Sequence, residues 1–345
     1  MDLARHADRE RFRYRCVYLM PSKDHLAPAL RDEGVEVSCL GMRRDADPRW
    51  VLRLREVVTR SRPAIVHAHL PYAAIGSRVA VRSLGSRRPR MISTEHNTAD
   101  RYRPPTRWAD RATLPLDDRT VAVSRSVAAS FPPRRRIDVI PNGVDVERVR
   151  SRALDRNAAR RALGLPAEGP VVGTIGGITA KKGHAVLLEA ARRVVAKDPE
   201  VKFVWIGLPI EGEAMQRRIG DAGLTDRVRL AGYRENAAEL LRAFDVFCLP
   251  SLHEGLPLSV LEALATGVPV VATSVGGVPE ALAGGGGVLV PPGDADALAT
   301  ALLGLLADPG LRERLSAEGS AAAGSFDVRE TARRTEALYL EVLRT

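Results

Sequence analysis

The sequence has few cysteines, few aromatic side chains and no long apolar run. Its three cysteines, Cys16, Cys39 and Cys248, lie in apolar, strand-like segments without metal-ligand spacing. We therefore expect them to be small core residues in a reducing compartment. No run of about eighteen apolar residues occurs, so no membrane-spanning helix is predicted. Residues 1–15 are charged from the second position onward and do not resemble a secretory signal. These features favour a cytoplasmic location.

Several catalytic and binding motifs are also missing. The G-x-x-x-x-G-K-[ST] spacing of a P-loop NTPase is absent, and so is the G-x-S-x-G nucleophile elbow. No zinc-ligand pattern, RNP-like aromatic strand or recognition helix indicates nucleic-acid binding. Apolar residues make up 45% of the 345 positions, which is enough for two ordinary globular cores.

Positive charge is concentrated in the first half of the chain. Residues 1–150 contain 30 Lys and Arg against 18 Asp and Glu, whereas the remainder contains 22 against 24. A basic N-terminal half indicates anionic partners such as lipid headgroups or phosphorylated lipids. Arginine-rich coding in a GC-rich genome is the alternative explanation, and nucleic acid is the partner that the sequence favours least.

Apolar, β-branched runs alternate with segments of helical periodicity along the whole chain. This alternation predicts an α/β protein of two doubly wound domains, whose parallel sheets are covered on both faces. The predicted helices include 47–60, 182–196, 237–244 and 258–266. The predicted strands are 14–20, 35–40, 64–68, 91–94, 120–123, 138–140, 171–175, 203–207, 228–231, 246–249, 268–273 and 288–290.

The domain boundary is predicted near residue 165, after a charged segment that follows Pro141, Asn142 and Gly143. The predicted domains are 1–164, 165–325 and a C-terminal helix over 326–345 that braces them. Ligand is expected at the carboxyl ends of the strands, in the cleft between the domains. The N-terminal domain opens with the tail of a helix, so its first strand and glycine-rich turn are expected to be absent.

The segment from Ser251 to Glu280 places two glutamates, Glu254 and Glu262, in apolar sequence. Strand 246–249 ends at Pro250, and Pro257 fits the first position of the following helix. Free amides at that helix start, near Leu258 and Ser259, are suited to a phosphate. Two carboxylates beside an anion site suggest acceptors for sugar hydroxyls; the alternative is a pair of solvent-exposed glutamates.

Two further segments contain candidate site residues. In one, Gly176 and Gly177 follow a strand and precede Lys181, Lys182 and Gly183 at a helix start, an arrangement typical of phosphate binding.

In the other, His96 lies just after an apolar strand, on the predicted ligand side. His67 and His69 alternate along a neighbouring strand; a metal site would need a third ligand, so a structural role is favoured.

In combination these motifs resemble the retaining glycosyltransferases of family 4, which have the GT-B fold. The resemblance rests on the E-x7-E motif within "EGLPLSVLEALATGVPVVAT" and on "KKG", "IPNGVD", "GGVPE" and "GVLVPPGD", which occur in the family's order. It covers nearly the whole chain and is strongest over 170–292. Such enzymes transfer a hexosyl group from a sugar nucleotide and need no metal and no cofactor.

The resemblance also implies roles for individual residues. Glu254 is similar to the glutamate that holds the donor sugar, and Glu262 to the one that binds the ribose. Lys182 resembles the diphosphate lysine, which stabilises leaving-group charge. His96 resembles the catalytic N-domain histidine near the reacting sugar. The other implied site residues are the phosphate-binding amides of Leu258 and Ser259, the glycine turn of Gly176 and Gly177, and the cleft loop of Gly276, Gly277 and Glu280.

Two departures from the family pattern keep alternatives open. Gly177 stands where the family has the arginine that pairs with the diphosphate, and a charge-assisted contact contributes about 1.5–3 kcal/mol. The first strand and glycine loop, which line the acceptor side of the cleft in the family, are expected to be absent. The sequence therefore predicts a hexosyltransferase that uses a UDP- or GDP-sugar, with a lipid-linked, glycan or small-molecule acceptor at an anionic membrane face. The alternatives are a sugar-nucleotide-binding protein with little turnover and a GT-B epimerase.

Overall fold

The computed structural model describes residues 2–42, 47–131 and 137–344, and it divides the chain into two compact units. The N-terminal unit combines the chain up to Asn142 with the segment from Val328 onward. The C-terminal unit is Gly143–Asp327.

Twelve strands lie within the described residues. They are β1 (Arg15–Tyr18), β2 (Glu36–Cys39), β3 (Ile65–His69), β4 (Arg90–Glu95), β5 (Arg119–Ala122), β6 (Ile137–Val139), β7 (Val171–Ile175), β8 (Lys202–Ile206), β9 (Val228–Gly232), β10 (Val246–Leu249), β11 (Val270–Thr273) and β12 (Gly287–Val290). Every predicted strand is present, with ends that shift by no more than two residues because local sequence determines strand ends poorly.

Fifteen α-helices lie within the same described ranges. They are α1 (Asp2–Arg5), α2 (Ala27–Asp32), α3 (Arg49–Ser61), α4 (Pro71–Arg82), α5 (Pro104–Thr113), α6 (Arg125–Ala129), α7 (Val146–Arg152), α8 (Arg156–Ala162), α9 (His184–Lys197), α10 (Gly212–Asp221), α11 (Leu258–Ala265), α12 (Val278–Ala281), α13 (Ala295–Ala307), α14 (Pro309–Ala322) and α15 (Val328–Arg344). The segment Ala237–Ala243, predicted as a helix, forms a 3-10 helix.

The C-terminal unit contains one six-stranded parallel sheet in the order β12-β11-β10-β7-β8-β9. Strands β10 and β11 are buried along their whole length, as expected for a sheet with helices on both faces. Phe203, Trp205 and Val246 belong to a core that also includes residues of α9 and α13. The predicted α/β architecture with parallel sheets is confirmed.

The N-terminal unit divides its strands between two parallel sheets. Strands β3, β4, β5 and β6 form one sheet in that order, and β1 pairs with β2 in a second sheet. Strand β4 is buried from Met91 to Glu95, whereas Ile65, Val66 and His67 of β3 are only half-buried. Strand β3 is thus an edge strand, although its apolar sequence is typical of a buried one.

The boundary between the compact units lies at Asn142 and Gly143, 22 residues before the predicted domain start at 165. Helices α7 and α8 pack on the C-terminal unit, because the Arg150 guanidinium donates to the carbonyl of Ala265 and Leu154 N donates to Glu239 O. The Arg160 side chain is fully buried and donates to Ala243 O and Asp245. The sequence prediction places this charged segment in the N-terminal domain, before the boundary near residue 165, because the partners of Arg150 and Arg160 are distant in the chain.

Helix α15 lies within the region 326–345 that is predicted as an amphipathic helix, and it belongs to the N-terminal unit. Its side chains Leu338, Tyr339 and Val342 form a core with residues of β4 and β5. The Tyr14 hydroxyl donates to Glu336 Oε1 at 3.0 Å. The last helix therefore completes the N-terminal unit.

The expectation of three core cysteines is wrong for two of them. Cys248 is buried, but Cys16 is half-buried and Cys39 is exposed. Both lie in the small β1–β2 sheet, which leaves these side chains incompletely covered. In the described part of the chain, none of the helices has the length and apolar character needed to cross a bilayer.

Candidate functional site

Lys182 and Glu254 meet at the carboxyl ends of two adjacent strands in the C-terminal unit. Strand β7 leads into the loop that contains Lys182, and β10 leads into the loop that contains Glu254. Lys182 Nζ donates to Glu254 Oε1 at 2.6 Å, and Ser251 Oγ donates to the same oxygen at 2.6 Å. The Lys182 side chain remains 24% exposed and that of Glu254 10%. Ligand can therefore reach an ion pair that the fold partly shields from water.

Two glycines let the surrounding loops approach this pair closely. Gly183 has φ +70°, and a Cβ there would lie 1.9 Å from Pro250 O. Gly276 has φ +52°, and a Cβ there would lie 1.9 Å from Glu254 O. Backbone contacts this short exclude any side chain, so both positions require glycine. They hold the lysine loop and the "GGVPE" loop against the segment that contains Glu254.

Gly176 and Gly177 differ from those glycines because their surroundings are open. A Cβ on Gly177 would have Ile210 Cδ1 as its nearest neighbour at 3.7 Å, which is an ordinary van der Waals distance. A Cβ on Gly176 would lie 3.7 Å from Lys182 Cε. Neither residue has a left-handed backbone conformation. The fold can therefore accommodate a Cβ atom at position 177.

Helix α11 begins beside the Glu254 loop and presents its first turn to solvent. Leu258 is 45% exposed at the first helical position, and Ser259 is half-buried. Pro257 is the N-cap rather than the first helical residue, and it makes no side-chain capping bond. Glu262 is half-buried one turn after Leu258, on the same side of the helix. The amides of this first turn have no intrahelical acceptor, so they are suited to bind an anion.

His96 lies directly after β4 in the N-terminal unit and contacts a second histidine. Its Nε2 atom is 3.0 Å from His69 Nδ1, at the end of β3. Partial burial lowers the pKa of His96 below its usual value, which keeps the imidazole neutral at pH 7. His69 is a partner that sequence reasoning missed, since the contact depends on the parallel register of β3 and β4.

His67 has both ring nitrogens engaged within the N-terminal unit. Nδ1 is 2.7 Å from the Tyr339 hydroxyl, and Nε2 is 2.6 Å from Thr94 Oγ1. Those bonds give the residue a structural role, in agreement with the interpretation from sequence. Among the described residues, no group of three or more His, Cys, Asp or Glu side chains is arranged to hold a metal ion.

A buried charge network includes Glu95, the residue before His96, and sequence reasoning missed it. Arg78 on α4 is fully buried, and it donates to Asp117 at 2.8 and 2.9 Å and to Asp110 at 2.6 Å. Glu95, also fully buried, lies 3.6 Å from the same guanidinium and accepts from Tyr102 Oη at 2.7 Å. Burial and the neighbouring Asp110 raise the pKa of Glu95 to about 7. One guanidinium thus faces three carboxyl groups.

Comparison with known proteins identifies the family. A family model for Glycosyltransferase Family 4 matches residues 1–148, and a model for Glycosyl transferases group 1 matches residues 169–308. The two regions correspond to most of both compact units. The chain belongs to glycosyltransferase family 4. The family resemblance inferred from the E-x7-E segment is confirmed.

Relatives of this family 4 protein act on diverse acceptors. The chain is 27% identical over 274 residues to the UDP-Gal:alpha-D-GlcNAc-diphosphoundecaprenol alpha-1,3-galactosyltransferase of Escherichia coli, covering 74% of this chain and 70% of that one. It is 31% identical over 223 residues to the 2-deoxystreptamine glucosyltransferase of Streptomyces kanamyceticus, covering 62% of this chain and 58% of that one. The chain thus spans less than two thirds of the second relative.

Solved structures confirm the GT-B fold of this family 4 protein. Anabaena HepE in complex with UDP and glucose superposes with a TM-score of 0.83 at 20% identity, covering 99% of this chain and 94% of that one. Sucrose-phosphate synthase from Thermosynechococcus elongatus superposes with a TM-score of 0.79 at 21% identity, covering 96% of this chain and 100% of that one.

Proposed function

We propose that this family 4 glycosyltransferase transfers a hexosyl group from a nucleotide-sugar donor to an acceptor, with retention of anomeric configuration. The observation that carries the proposal is the 2.6 Å contact between Lys182 and Glu254, beside the open first turn of α11. An ammonium, a carboxylate and free helix amides within one site match the diphosphate, sugar and phosphate parts of such a donor.

Lys182 would release Glu254 and pair with the diphosphate when the donor enters. Its positive charge would stabilise the charge that develops on the leaving nucleoside diphosphate, which is the role of a metal ion in other transferases. We therefore propose that the reaction needs no metal. Sugar transfer that continues at the same rate in the presence of a chelator would support this proposal. Loss of activity with the chelator, followed by recovery when Mg²⁺ is added, would contradict it.

Glu254 would then accept hydrogen bonds from hydroxyl groups of the donor sugar. Ser251 Oγ, which is fully buried, keeps the carboxylate oriented after Lys182 has moved to the diphosphate. Because this hydroxyl is buried and already donates to Glu254, it is poorly placed to act as a nucleophile. That argues for same-face attack by the acceptor, in which the departing phosphate assists deprotonation.

The amides of Leu258 and Ser259 would bind the distal phosphate, and Glu262 would hold the ribose. His96 would assist at the reacting sugar as a neutral imidazole. UDP is the favoured nucleotide, since the Escherichia coli relative is named for a UDP-linked donor and HepE was solved with UDP. GDP is the other nucleotide compatible with the same contacts.

For the acceptor we propose a lipid-linked sugar, a glycan or a small molecule of cell-envelope or polysaccharide biosynthesis. The Escherichia coli relative acts on a diphosphoundecaprenol-linked sugar, and that of Streptomyces kanamyceticus is named for 2-deoxystreptamine. The basic N-terminal half favours the lipid-linked class and a peripheral position on the cytoplasmic membrane face.

A sugar-nucleotide-binding protein with little turnover is the second candidate function. It is favoured by Gly177, which leaves an open position where the family carries an arginine for the diphosphate. Incubation with the UDP-sugar and a panel of acceptors distinguishes the two functions: transfer supports the enzyme, whereas donor binding without transfer supports the binding protein.

The donor site is tested by thermal shift with UDP, GDP, ADP and their sugars. We expect stabilisation by one nucleotide class that is lost in Glu262→Ala and retained in Glu313→Ala, an exposed glutamate on α14. Absence of any shift in a chain that melts cooperatively would overturn the assignment. The anomeric configuration of the product, measured by NMR, tests retention.

A further inference from the structure

Helix α5 of the N-terminal unit presents an exposed tryptophan. Trp108 is 68% exposed, whereas Trp50 is 2% exposed and Trp205 is fully buried. A tryptophan this exposed on a water-soluble surface is uncommon, because the indole ring contributes a large apolar area. The site residues assigned above give Trp108 no role.

Arginine side chains surround this tryptophan on the same side of the helix. Pro104, Arg107, Trp108 and Arg111 follow the i, i+3, i+4, i+7 spacing of a single helix face, and all four are exposed. Arg103 is exposed immediately before the helix. In the part of the chain that the structure describes, no carboxylate pairs with the guanidinium groups of Arg103, Arg107 or Arg111.

The acidic residue of α5 does not offset this positive charge at the surface. Asp110 is 3% exposed and points inward, where it accepts from Arg78 Nη1 at 2.6 Å. That buried ion pair fixes α5 against α4. Asp110 therefore contributes no negative charge to the exposed side of α5.

We propose that this surface, which we call the α5 face (Arg103, Pro104, Arg107, Trp108 and Arg111), docks the protein on an anionic lipid bilayer. Tryptophan prefers the membrane–water interface, where its ring lies among the headgroups and its N–H remains hydrated. Arginine can extend its charged group toward lipid phosphates while its methylene stem covers apolar surface. Docking does not require the donor site. Vesicle binding therefore tests the docking proposal separately from the proposed transfer reaction.

The positive charge of this surface favours an anionic partner over a neutral one. The exposed indole ring favours a lipid surface over nucleic acid. Nucleic-acid affinity comes chiefly from phosphate contacts along a basic track, and stacking platforms usually contain several aromatic side chains. The α5 face has a single aromatic ring between two arginines. Nucleic acid is therefore an outcome that the test distinguishes.

The two buried tryptophans make the test specific. Vesicles of phosphatidylcholine, with or without phosphatidylglycerol, are mixed with the full chain, and tryptophan emission is measured with bromine-labelled acyl chains as quencher. We expect co-sedimentation with the anionic vesicles only, loss of binding at high salt, and quenching of the Trp108 emission. Trp108→Phe should bind similarly and abolish the quenching, and Trp108→Ala should bind more weakly.

Charge variants provide the matched control. Arg107→Gln with Arg111→Gln should weaken vesicle binding by about fivefold for each arginine removed. Arg217→Gln with Arg218→Gln removes the same charge from exposed positions of α10 in the C-terminal unit and should leave binding unchanged. Cooperative melting of each variant establishes that it is folded.

Three outcomes would overturn the proposal. The first is absence of binding to phosphatidylglycerol vesicles at low salt. The second is an equal loss of binding in the α5 and α10 charge variants, which would indicate a diffuse effect of net charge. The third is binding of an oligonucleotide at Trp108, seen as quenching, when brominated anionic vesicles produce none.

Discussion

The ammonium of Lys182 donates to the carboxylate of Glu254 at 2.6 Å, although the two residues are 72 positions apart in the chain. The contact joins the "KKG" loop after β7 to the first glutamate of the E-x7-E segment after β10. Because β7 and β10 are neighbours in a parallel sheet, their carboxyl ends lie at the same edge, and the loops that follow them bring both side chains together. The pair is therefore the structural centre of the proposed donor site.

Lys182→Met should weaken binding of the nucleoside diphosphate. Loss of one charge-assisted contact predicts roughly a 10- to 100-fold increase in Kd, measured by calorimetry with UDP. Lys181→Met is the matched control, because Lys181 is adjacent and its side chain is exposed. Equal effects of the two substitutions would show that general charge, rather than the Lys182 position, binds the ligand.

Gly177→Arg should strengthen diphosphate binding. A Cβ at position 177 meets no atom closer than 3.7 Å and the backbone is not left-handed, so the substitution introduces neither a collision at Cβ nor backbone strain. A new guanidinium contact predicts about a tenfold tighter Kd for the nucleoside diphosphate. Gly177→Gln, which adds length without charge, is the control. If both variants bind as the parent does, the side chain at 177 does not reach the diphosphate.

Gly183→Ala should destabilise the C-terminal unit, whereas Gly177→Ala should not. A Cβ at 183 would lie 1.9 Å from Pro250 O, and φ is +70° there. The left-handed conformation alone costs about 1–2 kcal/mol for a residue other than glycine, and the collision adds to that. Denaturant unfolding measures the difference. A Gly183→Ala protein as stable as Gly177→Ala would mean that the loop relaxes without cost.

Glu95→Gln should stabilise the N-terminal unit at alkaline pH. Burial raises the pKa of Glu95 to about 7, so the folded protein holds a proton that the unfolded chain releases near pH 4.5. The stabilisation from this protonation is complete below pH 4.5 and is lost as the pH rises through 7. Gln cannot ionise and keeps an oxygen acceptor for Tyr102, so the gain at pH 8 is of the order of 1–3 kcal/mol.

The comparison of melting temperatures at pH 5.5 and pH 8 tests the Glu95 prediction. The parent should lose more stability than Glu95→Gln between the two pH values, with Glu313→Gln on the exposed face of α14 as the control. A parallel decline in all three proteins would show that Glu95 does not titrate in this range.

Sequence by itself determined the alternation of strands and helices and the motifs of the proposed donor site. Apolar runs, helical periodicity and breaks at glycine and proline are local signals, so all twelve strands were predictable within two residues of their ends. The E-x7-E spacing likewise placed Glu254 on a loop and Glu262 one turn into α11, because both lie in a single strand–loop–helix segment.

Only the tertiary structure decided which of these residues meet. The pairing of Lys182 with Glu254, the contact between His69 and His96, and the burial of Arg78 among three carboxyl groups all join separate strands and helices. Strand order and register are long-range properties that no local pattern encodes. For the same reason the sequence prediction placed the charged segment of α7 and α8 in the N-terminal domain, although the hydrogen-bond acceptors of the buried Arg160 lie in the C-terminal unit.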